Sequence, residues 1–183
     1  MLTNIVLIVF SLFFFGIVFA YNNLIKFRNR TKEAWADIDV QLKRRYNLIP
    51  NLIETVKGHA KHEKDVFDNV AMARAKAMGV SDFGKKEEAE AELTKTLKTL
   101  FAVTESYPEL KASENFSKLQ EELRDTEDKI QAARRFYNTN VRDFNTKVES
   151  FPINTVASIL GFKKIKFFEL KEPDQRKVPK ANF

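Results

Sequence analysis

The chain has 183 residues, no cysteine, five glycines, five prolines and a formal charge of +6. That length admits one globular domain with an appendage, and so little glycine and proline excludes a many-turned β-sandwich or a disordered linker protein. The missing cysteines exclude a disulfide scaffold, a thiolate zinc site and a cysteine nucleophile.

The charge is unevenly spread. Residues 1–25 carry no charged side chain, 26–46 hold seven Lys/Arg against three acids, 47–162 sum to −2, and 163–183 again hold seven against three. Two basic blocks therefore flank a nearly neutral middle.

The first element is the apolar run from Ile5 to Tyr21, IVLIVFSLFFFGIVFAY, with no charge until Lys26. A helix needs about 20 apolar residues to cross a bilayer, and residues 2–25 supply them. Val18-Phe19-Ala20 resembles a signal-peptide cleavage site, yet no positive n-region precedes the apolar run, so the segment reads as a retained anchor. Lys26, Arg28, Arg30 and Lys32 follow at once. The positive-inside rule then places the N-terminus outside and the larger domain in the cytoplasm, with these four side chains at the membrane interface against anionic headgroups.

Beyond the anchor, Trp35, Ile38, Leu42, Tyr46, Ile49, Ile53, Val56 and Ala60 form one stripe of an amphipathic helix. Pro50 predicts a kink or short break near 46–50, with Gly58 as a second weak point. A second helix is predicted over about 62–78, with Val66, Phe67, Val70 and Ala73 inward and Gly79 as its stop. Ser81-Asp82-Phe83-Gly84 reads as a loop. The third helix takes about 85–106, on a stripe of Leu93, Leu97, Leu100, Phe101 and Thr104, and ends at Tyr107-Pro108. The last helix carries the clearest pattern. Phe116, Leu119, Leu123, Thr126, Ile130, Ala133 and Tyr137 step by threes and fours, and the stripe shifts by one residue through Val141, Phe144, Val148 and Phe151. This is a coiled-coil-like seam with one stutter, about 55 Å long over residues 113–150.

These elements predict an all-α fold: an antiparallel up-and-down four-helix bundle with long first and last helices, preceded by one transmembrane helix. The expected divisions are an anchor at 1–25, a helical bundle at 26–151 and a basic, aromatic-rich tail at 152–183. The excess length of the outer helices suggests a two-helix stalk. An even number of passes returns Phe151 to the membrane end. In residues 152–170, Lys163, Lys164 and Lys166 interleave with apolar side chains, so this segment either lies in the bilayer interface or packs back on the bundle.

Little in the sequence carries chemistry. On a helix, His59 shares a face with His62 or Glu63, but the order matches no zinc-protease motif and no third ligand is evident. Glu-x-x-His pairs, glycine-rich phosphate loops and nucleophile elbows are lacking. Glu121, Glu122, Asp125, Glu127 and Asp128 flank the last seam and interleave with cations, the pattern of a solvated face. Lys43-Arg44-Arg45 and Arg134-Arg135 raise nucleic-acid binding, but their aromatic neighbours fall on or beside the seam and the anchor argues against it. No catalytic, cofactor or metal residue is assigned.

Residues 34–63, AWADIDVQLKRRYNLIPNLIETVKGHAKHE, resemble the signature of the LemA family. The likeness continues through Tyr107-Pro108-Glu109-Leu110-Lys111, Leu119-Gln120-Glu121-Glu122-Leu123, Ala133-Arg134-Arg135, Val141-Arg142-Asp143, Glu149-Ser150-Phe151-Pro152 and Gly161-Phe162-Lys163. It implies a bacterial, N-terminally anchored membrane protein with a four-helix domain and no established enzymatic activity. Family members are often encoded beside membrane partners, including an HtpX-type zinc protease, and a magnetosome branch is tied to membrane biogenesis. The chain departs from the family in having Asn47 for the common Asp and His59 for the common Tyr. Asn47 can still cap a helix restarted at Pro50. Asp37, Asp39, Gln41, Arg44, Arg45, Arg134 and Arg135 either bond between the first and last helices or face a partner.

The expectation is a non-enzymatic single-pass scaffold or adaptor of the bacterial inner membrane, with the bilayer and a membrane protein as partners. The alternative is a membrane-shaping homo-oligomer that engages lipid through anchor and tail.

Overall fold

The computed structural model describes residues 1–169. They form six helices, α1 Leu2–Lys57, α2 Lys64–Gly79, α3 Phe83–Thr104, α4 Pro108–Lys111, α5 Glu114–Glu149 and α6 Ile153–Ile159, and no strand. The tail beyond residue 169 lies outside the described residues.

Helix α1 has 56 residues and so a length of about 84 Å. It is the one helix among the described residues long and apolar enough to cross a membrane. Its first turns leave Phe10, Leu12, Phe13, Phe15 and Phe19 exposed. An apolar helix that leaves these side chains exposed among the described residues matches hydrocarbon, not water.

The break expected at Pro50 does not occur, and Asn47 lies within α1 and caps nothing. Proline has no N–H for the carbonyl four residues earlier. That carbonyl belongs to Tyr46, and the Arg74 Nε of α2 donates to it at 2.7 Å. A side chain from the neighbouring helix replaces the missing backbone donor, so the helix runs on to Lys57.

The loop expected at 81–84 is shorter, because Asp82 accepts a hydrogen bond from Lys85 N at 3.1 Å and caps α3, which takes in Phe83 and Gly84. Tyr107 and Pro108 end α3 as expected, and Pro108 starts the single turn of α4.

Two compact units divide the chain, and α1 and α5 contribute residues to both. In the first unit, residues 1–39 meet 130–167. Trp35 packs edge-on against Tyr137 at 5.5 Å, and Lys147 Nζ lies 5.7 Å from the ring centre of Phe27. Numbers that rise along α1 while falling along α5 define an antiparallel pair. Near its end, Leu24, Phe144 and Ala157 are buried, with Phe27, Val148, Ile153, Phe162 and Ile165 packed on them. The seam of α5 is inward at Ile130, Tyr137, Val141 and Phe144, and only Phe151, past its end, is exposed.

In the second unit, residues 40–57 of α1 pack with α2, α3, α4 and 114–129 of α5. Lys76 of α2 pairs with Glu92 of α3 and Lys86 Nζ donates to the Ala77 carbonyl, so α2 and α3 form an antiparallel hairpin. Its core holds Leu42, Ile49, Leu52, Val56, Phe67, Val70, Leu93, Leu100, Leu110 and Leu123.

Candidate functional site

The polar centre of the second unit is built on heptad positions. Ile38, Leu42, Arg45, Ile49, Leu52 and Val56 step 4,3,4,3,4 along α1, as do Lys86, Glu90, Leu93, Leu97, Leu100 and Thr104 along α3. Arg45 and Glu90 therefore occupy places the pattern reserves for apolar side chains, and their side chains are 3% and 0% exposed.

A buried charge must be paired and hydrogen-bonded, and these are. Arg45 donates through Nη2 to Glu90 Oε2, and through Nη1 to Glu127 Oε2 of α5 at 2.8 Å. The Tyr46 hydroxyl donates to Glu90 Oε1. Thr94 returns its hydroxyl to the Glu90 carbonyl at 2.9 Å, and Lys86 Nζ lies 5.5 Å from the Tyr46 ring centre. One guanidinium thus ties α1, α3 and α5 together.

Just outside, Arg44 Nη1 reaches Asp125 at 3.1 Å and Lys129 reaches the same oxygen at 2.8 Å. The hydrogen bond from Lys129 is the largest influence on the Asp125 carboxyl and, with the charges of Lys129 and Arg44, holds it below its usual value against desolvation, the second-largest influence. Of the acidic run, Glu121, Glu122 and Asp128 are exposed, whereas Glu127 enters the Arg45 network.

The other candidate polar residues fall elsewhere. Arg134 is buried in the first unit, Asp39 and Gln41 are half-buried, and Asp37 and Arg135 are exposed. His59 and His62 are exposed in the turn between α1 and α2. They are not on a helix, so the shared face considered for a metal does not form. Among the described residues no group of three or more His, Asp or Glu side chains is placed to hold a metal ion. An open groove of about 260 Å³ between α2 and α3 is lined by Val66, Met72, Ala73, Lys76, Glu92 and Thr96, whose one charged pair is the Lys76–Glu92 bridge.

The basic residues of the first unit form a second group. The Arg28 guanidinium lies 5.3 Å from the Phe162 ring centre and that of Arg30 5.7 Å from Phe27, while Lys26 and Lys32 are exposed. The tail after α6 folds onto α5. Asn145 Nδ2 donates to the Ile165 carbonyl and Ile165 N donates to Asn145 Oδ1, both at 2.9 Å. The Tyr137 hydroxyl donates to the Lys166 carbonyl at 3.1 Å. Lys164 pairs with Glu149 at 2.7 Å, and Lys163 and Lys166 project outward. Of the two placements open for residues 152–169, Phe162 and Ile165 take the packed one.

Sequence reasoning passed over Arg74, Lys86, Glu90 and Asn145. For Lys86 and Glu90 the signal was present, because the α3 stripe extended two steps back passes through both. Arg74 and Asn145 have no periodic signal, since what they serve is a backbone group on a distant segment.

Among known proteins, the chain is similar to Magnetosome protein MamQ 2 of Paramagnetospirillum magneticum, 24% identical over 177 residues that cover 82% of this chain and 65% of the relative. It is also similar to Protein LemA of Metamycoplasma hominis, 26% identical over 163 residues that cover 88% of this chain and 74% of that protein. The chain thus spans just under two thirds of the length of the magnetosome relative. The LemA family pattern matches residues 34–183, taking in the Arg45 network, the whole of α5 and the folded-back tail, and the chain belongs to the LemA family.

Proposed function

We propose that this protein is a non-enzymatic, single-pass scaffold or adaptor, anchored by residues 1–25 and presenting an up-and-down four-helix bundle at residues 26–151. One observation carries the reading. The convergent polar groups of the helical domain, Arg45, Glu90, Glu127 and Tyr46, bond to one another across α1, α3 and α5 and so serve to hold the helices together. What the domain offers outward is a helical surface, and α1 joins that surface to the apolar span without a break.

The basic side chains Lys26, Arg28, Arg30 and Lys32 directly after the span support a cytoplasmic domain and an interface at the inner leaflet. The partner is then a membrane-associated protein or a second copy of this chain, and an HtpX-type protease, beside which family members are often encoded, is one candidate. In-membrane crosslinking from exposed positions of α2 and α3, followed by identification of the neighbours, tests this. A specific protein or a homo-oligomer is the expected yield. Recovery of neither in native membranes would overturn the scaffold reading.

A further inference from the structure

We propose that the α5–α6 turn and the end of α6 form an interfacial lipid platform: Phe151, Ile159 and Leu160 enter the boundary between headgroups and acyl chains, and Lys163 and Lys166 sit among anionic phosphates. The proposal rests on reading residues 1–25 as the anchor.

The level of α6 along α1 carries the argument. Leu24 is buried with Phe144 and Ala157, Ile153 and Phe162 pack on that cluster, and the Tyr21 ring is 6.1 Å from Phe162. Tyr21 to Phe27 is about 9 Å of helix axis, and within it the uncharged run gives way to Lys26. A headgroup layer is roughly 5–8 Å thick, so this stretch spans one and carries its polarity change. The end of α6 is thus held where the apolar segment leaves the hydrocarbon.

At this level, among the described residues, the first unit leaves large apolar side chains exposed. Phe151 is 85% exposed, Ile159 78% and Leu160 47%, although Ala157 between them is fully buried. Charge points the same way: residues 150–168 contain three lysines and no acid. Glu149, the nearest carboxylate before them, is paired with Lys164. A short element with apolar side chains toward the bilayer and lysines around it suits an anionic membrane surface. The platform needs no folding on contact, because Asn145 and Tyr137 already fix the tail to α5.

The natural chain has no cysteine, so single cysteines carry a fluorophore without background. Full-length Phe151→Cys, Ile159→Cys, Met72→Cys and Phe10→Cys are labelled and reconstituted into vesicles of phosphatidylethanolamine and phosphatidylglycerol. Met72, exposed on α2, reports solvent, and Phe10 reports the anchor. The probes at 151 and 159 should shift to the blue, be shielded from iodide and be quenched about twofold more than at 72 by a nitroxide at a shallow acyl position. Behaviour at 151 and 159 like that at 72, with the probe at 10 still quenched in the membrane, overturns the platform and leaves the anchor standing. Loss of quenching at 10 as well removes the anchor reading with it. Shielding at 159 from iodide and nitroxide alike, with a disulfide joining copies of unlabelled Ile159→Cys, assigns the surface to a second copy and overturns the lipid proposal.

Discussion

Arg45 and Glu90 are charged side chains on core positions, and their energetics follow from what each leaves behind when removed. Truncating one member of a buried pair strands the other, at a cost of about 3–5 kcal/mol, whereas replacing both with apolar side chains of similar volume is near neutral. Glu90→Ala should therefore lower unfolding stability by about 3 kcal/mol, Arg45 keeping Glu127 as its remaining partner. Arg45→Met with Glu90→Met should recover most of that loss in a denaturant titration, and a double variant as unstable as the single one would show that the network is worth more than its desolvation cost. Asp125 is a different case, half-buried and held by Lys129 and Arg44. Its carboxyl is depressed in the folded chain, so its contribution is complete above the unfolded value of about 4 and is lost as pH falls through the lower folded value. Asp125→Asn should be less stable than wild type at neutral pH, the difference closing in strong acid. A difference that stays constant with pH would place the effect elsewhere than in the carboxylate. A heptad count reaches Arg45 and Glu90, but it does not say that they meet, because pairing depends on how α1 and α3 are rotated against each other.

The helices themselves were largely readable, because periodicity is a local property. The α5 seam ran from Phe116 to Val148 as expected, with Arg134 buried beside it before the stutter and Asn140 and Asn145 beyond. The helix that runs unbroken through Pro50, where a kink or a short break was expected, is instructive. A proline inside a helix withdraws one donor, and whether the helix then breaks depends on whether another donor reaches the stranded carbonyl. Arg74 does so from 28 residues away, and no window of sequence around Pro50 contains it. Arg74→Met should thus destabilise the protein by about 1–3 kcal/mol, the cost of an unsatisfied buried carbonyl. With Pro50→Ala present, the amide N–H restored at position 50 serves Tyr46, and the same substitution should cost distinctly less. Equal costs in the two backgrounds would show that Arg74 acts through its packing alone. The tail is held on the same principle, by a side-chain amide that mimics a backbone partner. Asn145→Ala should speed hydrogen exchange at the Ile165 amide, which loses its acceptor, while the amides of Ile130 and Tyr137 within α5 stay protected. Unchanged exchange at Ile165 would mean that Phe162 and Ile165 hold the tail by packing.

For the whole molecule, the +6 charge is misleading until it is divided along the chain. One basic block follows the apolar span, and residues 162–167, which take in the first three lysines of the other, fold back onto α5, through Phe162 under Arg28 and Ile165 on Asn145. The unequal helix lengths made a two-helix stalk legible, and the first unit is indeed built from α1, α5 and the segment after α5. Which residues of that segment pack was not legible, since Phe162 and Phe167 have the same chemistry and differ only in which faces α5. The clustering of positive charge has a consequence for topology. Cytoplasmic retention depends on Lys and Arg close to the span, and within seven residues of its end this chain has Lys26, Arg28, Arg30 and Lys32. A single cysteine at Met72 should resist an impermeant maleimide in intact spheroplasts and react after permeabilisation. Changing the four cations to Gln should produce a mixed population in which part of the Met72→Cys protein reacts without permeabilisation. Lys163, Lys164 and Lys166 lie more than 130 residues further along the chain, beyond the reach of the orientation step, so neutralising them should leave the labelling pattern unchanged. Full reactivity at position 72 with the natural flank intact would instead put the helical domain outside. In that case the four cations act only on lipid headgroups.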